Sequence, residues 1–238
     1  METTADLYRM TRALDFSRSR LVTCWYEDPG GVGNRVVRIL NDQLGARSFC
    51  DIEPPGFFPL AGVPMQDNVA RFPQSRFWGE PTRGLVTFLS NEPPHAKQAF
   101  VATLLDVAQH YCHVEELIVI SGQFTAGDYR APRRCYAVFN QPNTKKQWRR
   151  YALEEPTYED TPSLSIYLLW EAGNREIPGV RIRVDVPFYL SRSGDPRAVE
   201  AVLQPLSDHL EIDLDLTDLD QWKETQHRKL DELRSRES

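Results

Sequence analysis

Residues 21–44 constrain the fold of this chain more than any other stretch. They open with Leu21, Val22, Thr23, Cys24, Trp25 and Tyr26, a run of branched and aromatic side chains suited to a buried strand. A glycine-rich loop follows over residues 27–34, with Gly30, Gly31 and Gly33. Beyond it Val36, Val37, Ile39, Leu40 and Leu44 recur at the spacing of one helix face. Strand, tight turn and helix in that order call for a crossover back to a parallel strand, and residues 48–52, just past Gly45, supply one. The chain therefore reads as α/β.

The same stretch raises the question of a dinucleotide fingerprint, because Gly31, Gly33 and the acid Asp51 at the end of the next strand fit its outline. Val36 does not, since the third position needs a residue small enough for the helix to pack closely on the strand. Glu27 and Asp28 also stand just before the helix, where two carboxylates repel an approaching pyrophosphate. No Walker lysine follows the glycines. Turn chemistry is the better reading of the loop.

Further along, residues 53–62 carry Pro54, Pro55, Gly56 and Pro59, too many breakers for a helix, so turn and extended chain are expected there. Within that stretch Phe57, Phe58 and Leu60 are apolar; they read as a buried connection, with Phe57 and Phe58 the aromatic residues best suited to an interface. Residues 69–78 alternate loosely as one or two short strands, Phe72, Phe77 and Trp78 standing among Arg71 and Arg76. Residues 84–89, 117–121 and 135–139 read as further strands, and 95–111, 145–153, 163–172, 195–210 and 219–234 as helices. Residues 180–186 alternate Ile182, Val184 and Val186 against Arg181, Arg183 and Asp185, the pattern of a half-exposed strand. Leu7, Met10, Leu14 and Phe16 form a weak apolar stripe that can cover a sheet edge. The organisation expected is an N-terminal extension over residues 1–20, one α/β domain over 21–215 and a charged C-terminal helix over 216–238.

Charge narrows the function classes. A net charge of -6 argues against sequence-independent nucleic-acid binding, which rests on neutralising many phosphates. Lys145, Lys146, Arg149 and Arg150 then read as the solvated face of a short helix. No apolar run approaches the roughly 20 residues that span a bilayer, and residues 1–20 lack the apolar segment of a signal peptide, so no membrane association and a cytoplasmic location are expected. Cys24, Cys50, Cys112 and Cys135 lie far apart, form no C-x-x-C pair, and read as small buried residues. His110, Cys112, His113 and Glu115 crowd one helix end where they cannot all face one ion, so neither a metal nor a cofactor is expected.

Several of these stretches together resemble the proteasome assembly chaperone 2 family, the DUF75 group of bacterial and archaeal proteins. The pieces that match are Asp28, Pro29, Gly30, Gly31, Val32, Gly33 and Asn34 after the first strand, the strand and loop 85–93, and the strand 117–122. Most specific is a late block running from Pro162, Ser163 and Leu164 through Val184, Asp185, Val186, Pro187, Phe188 and Tyr189 to Asp195, Pro196, Arg197 and Ala198. The resemblance implies a three-layer α/β/α fold with a central mixed sheet, like that of phosphorylases and hydrolases. It also implies a homo-oligomer with protein partners, since relatives gather proteasome subunits. Chaperone relatives commonly end in a hydrophobic residue, a tyrosine and one more residue, whereas this chain ends Arg236, Glu237, Ser238.

Two functions follow from the residues. No paired nucleophile and base, metal spacing or phosphate loop stands out, which favours a non-enzymatic interaction or assembly scaffold. The alternative is a small-molecule site or hydrolase-like or phosphorylase-like enzyme at the carboxyl ends of the strands, where open α/β sheets bind ligands. Its candidate residues are Glu27, Asp28, Gly30, Gly31, Asn34, Asn91, Glu92, Gly122 and Tyr189, with the clustered carboxylates as potential acid or base.

Overall fold

In the computed structural model, which describes residues 7–59, 65–66, 69–70, 72–156 and 162–237, two helical layers enclose one eight-stranded sheet. The sheet strands are β1 (Tyr8–Met10), β2 (Ser19–Trp25), β3 (Arg47–Ile52), β6 (Ser75–Glu80), β7 (Leu85–Ser90), β8 (Val114–Thr125), β9 (Cys135–Phe139) and β10 (Gly179–Pro187). A separate two-residue pair, β4 (Met65–Gln66) and β5 (Val69–Ala70), lies outside it. The helices are α1 (Val32–Leu44), α2 (Lys97–Cys112), α3 (Pro142–Trp148), α4 (Leu164–Asn174), α5 (Pro196–Leu210) and α6 (Thr217–Glu237). Leu60, Arg71 and Ser238 lie outside the described residues.

Strand order is β1-β3-β6-β7-β2-β8-β10-β9. The four central strands β7, β2, β8 and β10 run parallel, and antiparallel pairings add the flanks. The first crossover, through α1, reaches β3 in the same direction as β2, but β7 and β6 are inserted between them. Alternation along each central strand feeds two cores. Val22, Cys24, Ile118, Ile120 and Val184 face α1 and α5, whereas Leu21, Val86, Phe88, Leu117 and Val119 face α2 and α4.

Three expectations are corrected here. β10 is buried along its whole length rather than half-exposed, because α4 covers its second face and the polar residues there are paired. Arg181 donates to Ser121 at 3.3 Å, and Asp185 accepts from Arg134 and Tyr136, both at 3.3 Å. Phe57 and Phe58 form the buried connection rather than the exposed interface aromatics also expected of them; both rings stand edge-on to Phe100 inside the second core. The helix expected over 145–153 starts earlier, at Pro142, and ends at Trp148; Glu154 then bridges to Tyr136 of β9. At the opposite edge β1 extends the sheet against β3, leaving Leu7 and Met10 exposed while Phe16 enters the core.

Proline at 205 has a local consequence inside α5. It has no N–H to offer the carbonyl four residues earlier. That carbonyl, on Ala201, accepts instead from the Cys135 thiol at 3.5 Å, which joins α5 to β9.

Candidate functional site

The carboxyl ends of β2 and β7 form a topological switch. The loop after β2 leads to α1 in one layer and the loop after β7 leads to α2 in the other, and this parting of neighbouring loops is where open α/β sheets bind ligands. The side chain of Glu27 bridges it: Oε1 accepts from Asn91 Nδ2 at 2.7 Å and Oε2 from the Glu92 amide at 3.0 Å. Glu92 is in turn paired with Lys97 at 2.6 Å. Glu27, Asn91 and Glu92 are thus brought into one hydrogen-bonded group at the rim.

Asp28 points the other way, into the protein. Its Oδ2 accepts from the amide of Gly33 at 2.8 Å, and its Oδ1 accepts from the amide of Gly122. One carboxylate therefore starts α1 and fastens that turn to β8. Burial pushes its pKa up from 3.8 to about 6, against the opposing pull of the Gly33, Gly122 and Val32 amides and of Arg181. Gly122 has no room for a side chain, since a Cβ there would strike the Pro29 carbonyl oxygen. Gly30, at a φ of 69°, packs against Val186 of β10, while Gly31, at 61°, faces open space. Asn34 lies in the first turn of α1 and accepts from Arg38 at 2.8 Å.

Tyr189 sits farther along the rim, beyond β10, and donates its hydroxyl to the Gly127 carbonyl at 3.1 Å. It stands edge-on to Phe188, whose ring is 61% exposed. Phe124, on the adjoining strand in register with Val186, is 50% exposed. In sequence Phe124 stands inside the polar stretch that begins at Gln123; its signal is its place two residues past the buried run of β8.

A second polar group, also unforeseen, lies at the opposite end of the sheet. Glu116 of β8 accepts from Trp148 Nε1 at 3.0 Å and pairs with His209 Nε2 at 2.6 Å. Trp148 and His209 stack with ring centres 4.0 Å apart, and Arg20 stands 3.7 Å from the same carboxylate. Burial works to raise the Glu116 pKa, but the His209 hydrogen bond and charge, Trp148 and Arg20 outweigh it and hold the group below the usual carboxylate range.

The model of the PAC2 family matches residues 26–234. The chain belongs to that family. Solved structures share the architecture. A proteasome-assembly chaperone homologue from Mycobacterium tuberculosis is 21% identical, with a TM-score of 0.76 over 89% of this chain and 94% of its own. An archaeal proteasome activator from Pyrococcus furiosus is 19% identical, with a TM-score of 0.77 over 95% and 98%. A protein of unknown function from Corynebacterium glutamicum is 18% identical, with a TM-score of 0.80 over 98% and 91%. At these identities the likeness is one of fold. No curated protein matches the chain. The PAC2 assignment accounts for the three-layer fold, and among the described residues no helix is long and apolar enough to cross a membrane.

Proposed function

We propose that this PAC2-family chain is a non-enzymatic assembly factor that works as a homo-oligomer and acts on protein partners through its surface. The observation that carries this reading is the contrast along the carboxyl rim. Its acids Glu27 and Asp28 are engaged by neighbouring amides, whereas Phe124, Phe188 and Tyr189 stand 50%, 61% and 43% exposed around the ends of β8 and β10. Exposed aromatic groups gathered at one edge are a means of holding another protein. Kinship with a proteasome-assembly chaperone homologue and a proteasome activator supports a partner of the proteasome type. Light scattering on the purified protein tests the reading. A mass that is a multiple of the chain, falling to that of one chain in a Phe124→Ser, Phe188→Ser double variant, is expected. A single-chain mass for the unsubstituted protein at every concentration, together with turnover of a metabolite, overturns it.

The topological switch favours a second reading, a small polar ligand held at the rim by Glu27, Asn91 and Glu92, with Gly31 and Asn34 on the neighbouring turn; Asp28, Gly30 and Gly122 support that turn from within, and Tyr189 stands farther along the rim. Its support is the meeting of the Glu27 and Asn91 side chains and the Glu92 amide at the place where open α/β sheets bind ligands. A metabolite that raises the melting temperature of the wild type, but not of Glu27→Ala or Glu92→Ala, is expected on this reading. Unchanged melting across a broad ligand library counts against it.

A further inference from the structure

The C-terminal helix α6 is fastened to the body in two different ways. Its first turns are seated by packing: Leu219 is buried, Trp222 lies against Gly194 where an added Cβ would sit 2.9 Å from the ring, and Arg35 of α1 stacks over Trp222 at 5.1 Å. The segment before it is pinned to α1 by Gln43, which exchanges two hydrogen bonds with the Asp215 backbone at 2.5 and 2.7 Å. Past Trp222 polar contacts predominate among the described residues. Gln226 donates to the Gly194 carbonyl at 2.7 Å, and Leu230 is only half-buried.

The distal clasp is Asp231. It accepts from the Tyr129 hydroxyl and from Arg130 at 2.6 Å, and it faces His227 of its own helix at 3.2 Å. Tyr129 also meets the His227 ring edge-on at 5.6 Å. These donors hold the Asp231 carboxyl below the usual range. The loop they grip, 127–133, is also where Tyr189 lands, on Gly127. Deeper in, Arg133 fixes that loop by pairing with the buried Asp195 at 2.6 Å and donating to the carbonyls of Asp128, Ala131 and Tyr129.

We infer that the distal half of α6 is a releasable strap: Asp231 clasps the 127–133 loop, and opening the clasp loosens that loop and the Phe188–Tyr189 surface that leans on it. The physical reason is the exposure of the ion pair in the clasp, its other donor Tyr129 being buried. Arg130 and Asp231 are 52% and 39% exposed, so salt screens their attraction, while the buried Arg133–Asp195 pair beneath stays closed. Opening is therefore local, confined to residues 224–237, the outer part of the loop and the residues around 189, with α5 left intact.

Hydrogen exchange read by mass spectrometry on the full chain tests this, with wild type, Asp231→Ala and Arg130→Ala compared at low salt and at about 0.5 M salt. In wild type, residues 224–237 exchange faster than α5. Either substitution speeds exchange about twofold to fivefold in 224–237, with a rise also in 127–133 and around residue 189, and added salt moves wild type toward the variants. Three outcomes overturn the inference: no change in the variants, a change in α6 that leaves 127–133 untouched, or a uniform change that includes α5. No partner or ligand enters the experiment, so its result is separable from the rim's proposed role in assembly.

Discussion

Asp28 at the carboxyl end of β2 and Glu116 near the amino end of β8 are both buried acids, yet their surroundings drive them in opposite directions. Asp28 is held chiefly by backbone amides, which carry no charge to set against its own, and burial lifts its pKa to about 6. Glu116 has His209, Trp148 and Arg20 within reach, and together they overcome burial and lower it. At Asp28 the amides and Arg181 only partly offset burial, whereas at Glu116 the contacts with His209, Trp148 and Arg20 outweigh it. The rim of this protein uses its best-placed acid to secure backbone. The far end uses its acid to join α3 and α5 to the sheet.

The comparison yields a graded set of tests. The largest effect belongs to Gly122→Val, which drives a side chain into the Pro29 carbonyl beneath the Asp28 bridge; a loss of more than about 4 kcal/mol in denaturant unfolding is expected. Next comes Asp28→Asn, read as the stability difference from wild type across pH. A raised folded pKa means that the acid's contribution is fully present below the unfolded value near 4 and is lost as pH rises through about 6. The advantage of wild type over the variant should accordingly shrink by about 3 kcal/mol between those limits, and a constant difference would break the comparison at its carboxyl end.

Glu116→Gln should behave with the opposite sign. A lowered pKa gives stability that is present above the unfolded value and lost as pH falls through the folded one, so a cost of about 2 kcal/mol at neutral pH should fade in acid. Stability curves with parallel pH slopes for the two variants would remove the contrast altogether. Smallest is Glu27→Ala, whose bonds to Asn91 and Glu92 lie at the exposed rim; a loss below about 1 kcal/mol, measured by thermal melting, is expected.

Much of this architecture is written locally in the chain. The run 21–26 with its glycine loop, the continuous apolar strands β7 and β8, and the Asp-Pro start of α5 each announce an element through near neighbours. The residues around Glu27, Asn91 and Gly122 could be expected on one border because parallel strands put their carboxyl ends together. What stayed hidden depends on distant pairing. Glu116, Trp148 and His209 come from a strand and two helices far apart in sequence, and none carries a motif. Nor does alternation in β10 reveal that α4 will bury the charged face as well as the apolar one. That Asp28 turns inward while adjacent Glu27 turns outward is settled by the amides of Gly33 and Gly122, one of them 94 residues away.

The most direct measurement is a carbon-13 NMR titration of the Asp28 side-chain carboxyl in the folded protein. A midpoint near 6, with the Gly33 and Gly122 amide protons shifting in the same step, is the predicted result. A midpoint near the ordinary 3.8, with those amides unmoved, would contradict the account by showing that burial does not govern Asp28 and that it does not bridge Gly33 to Gly122.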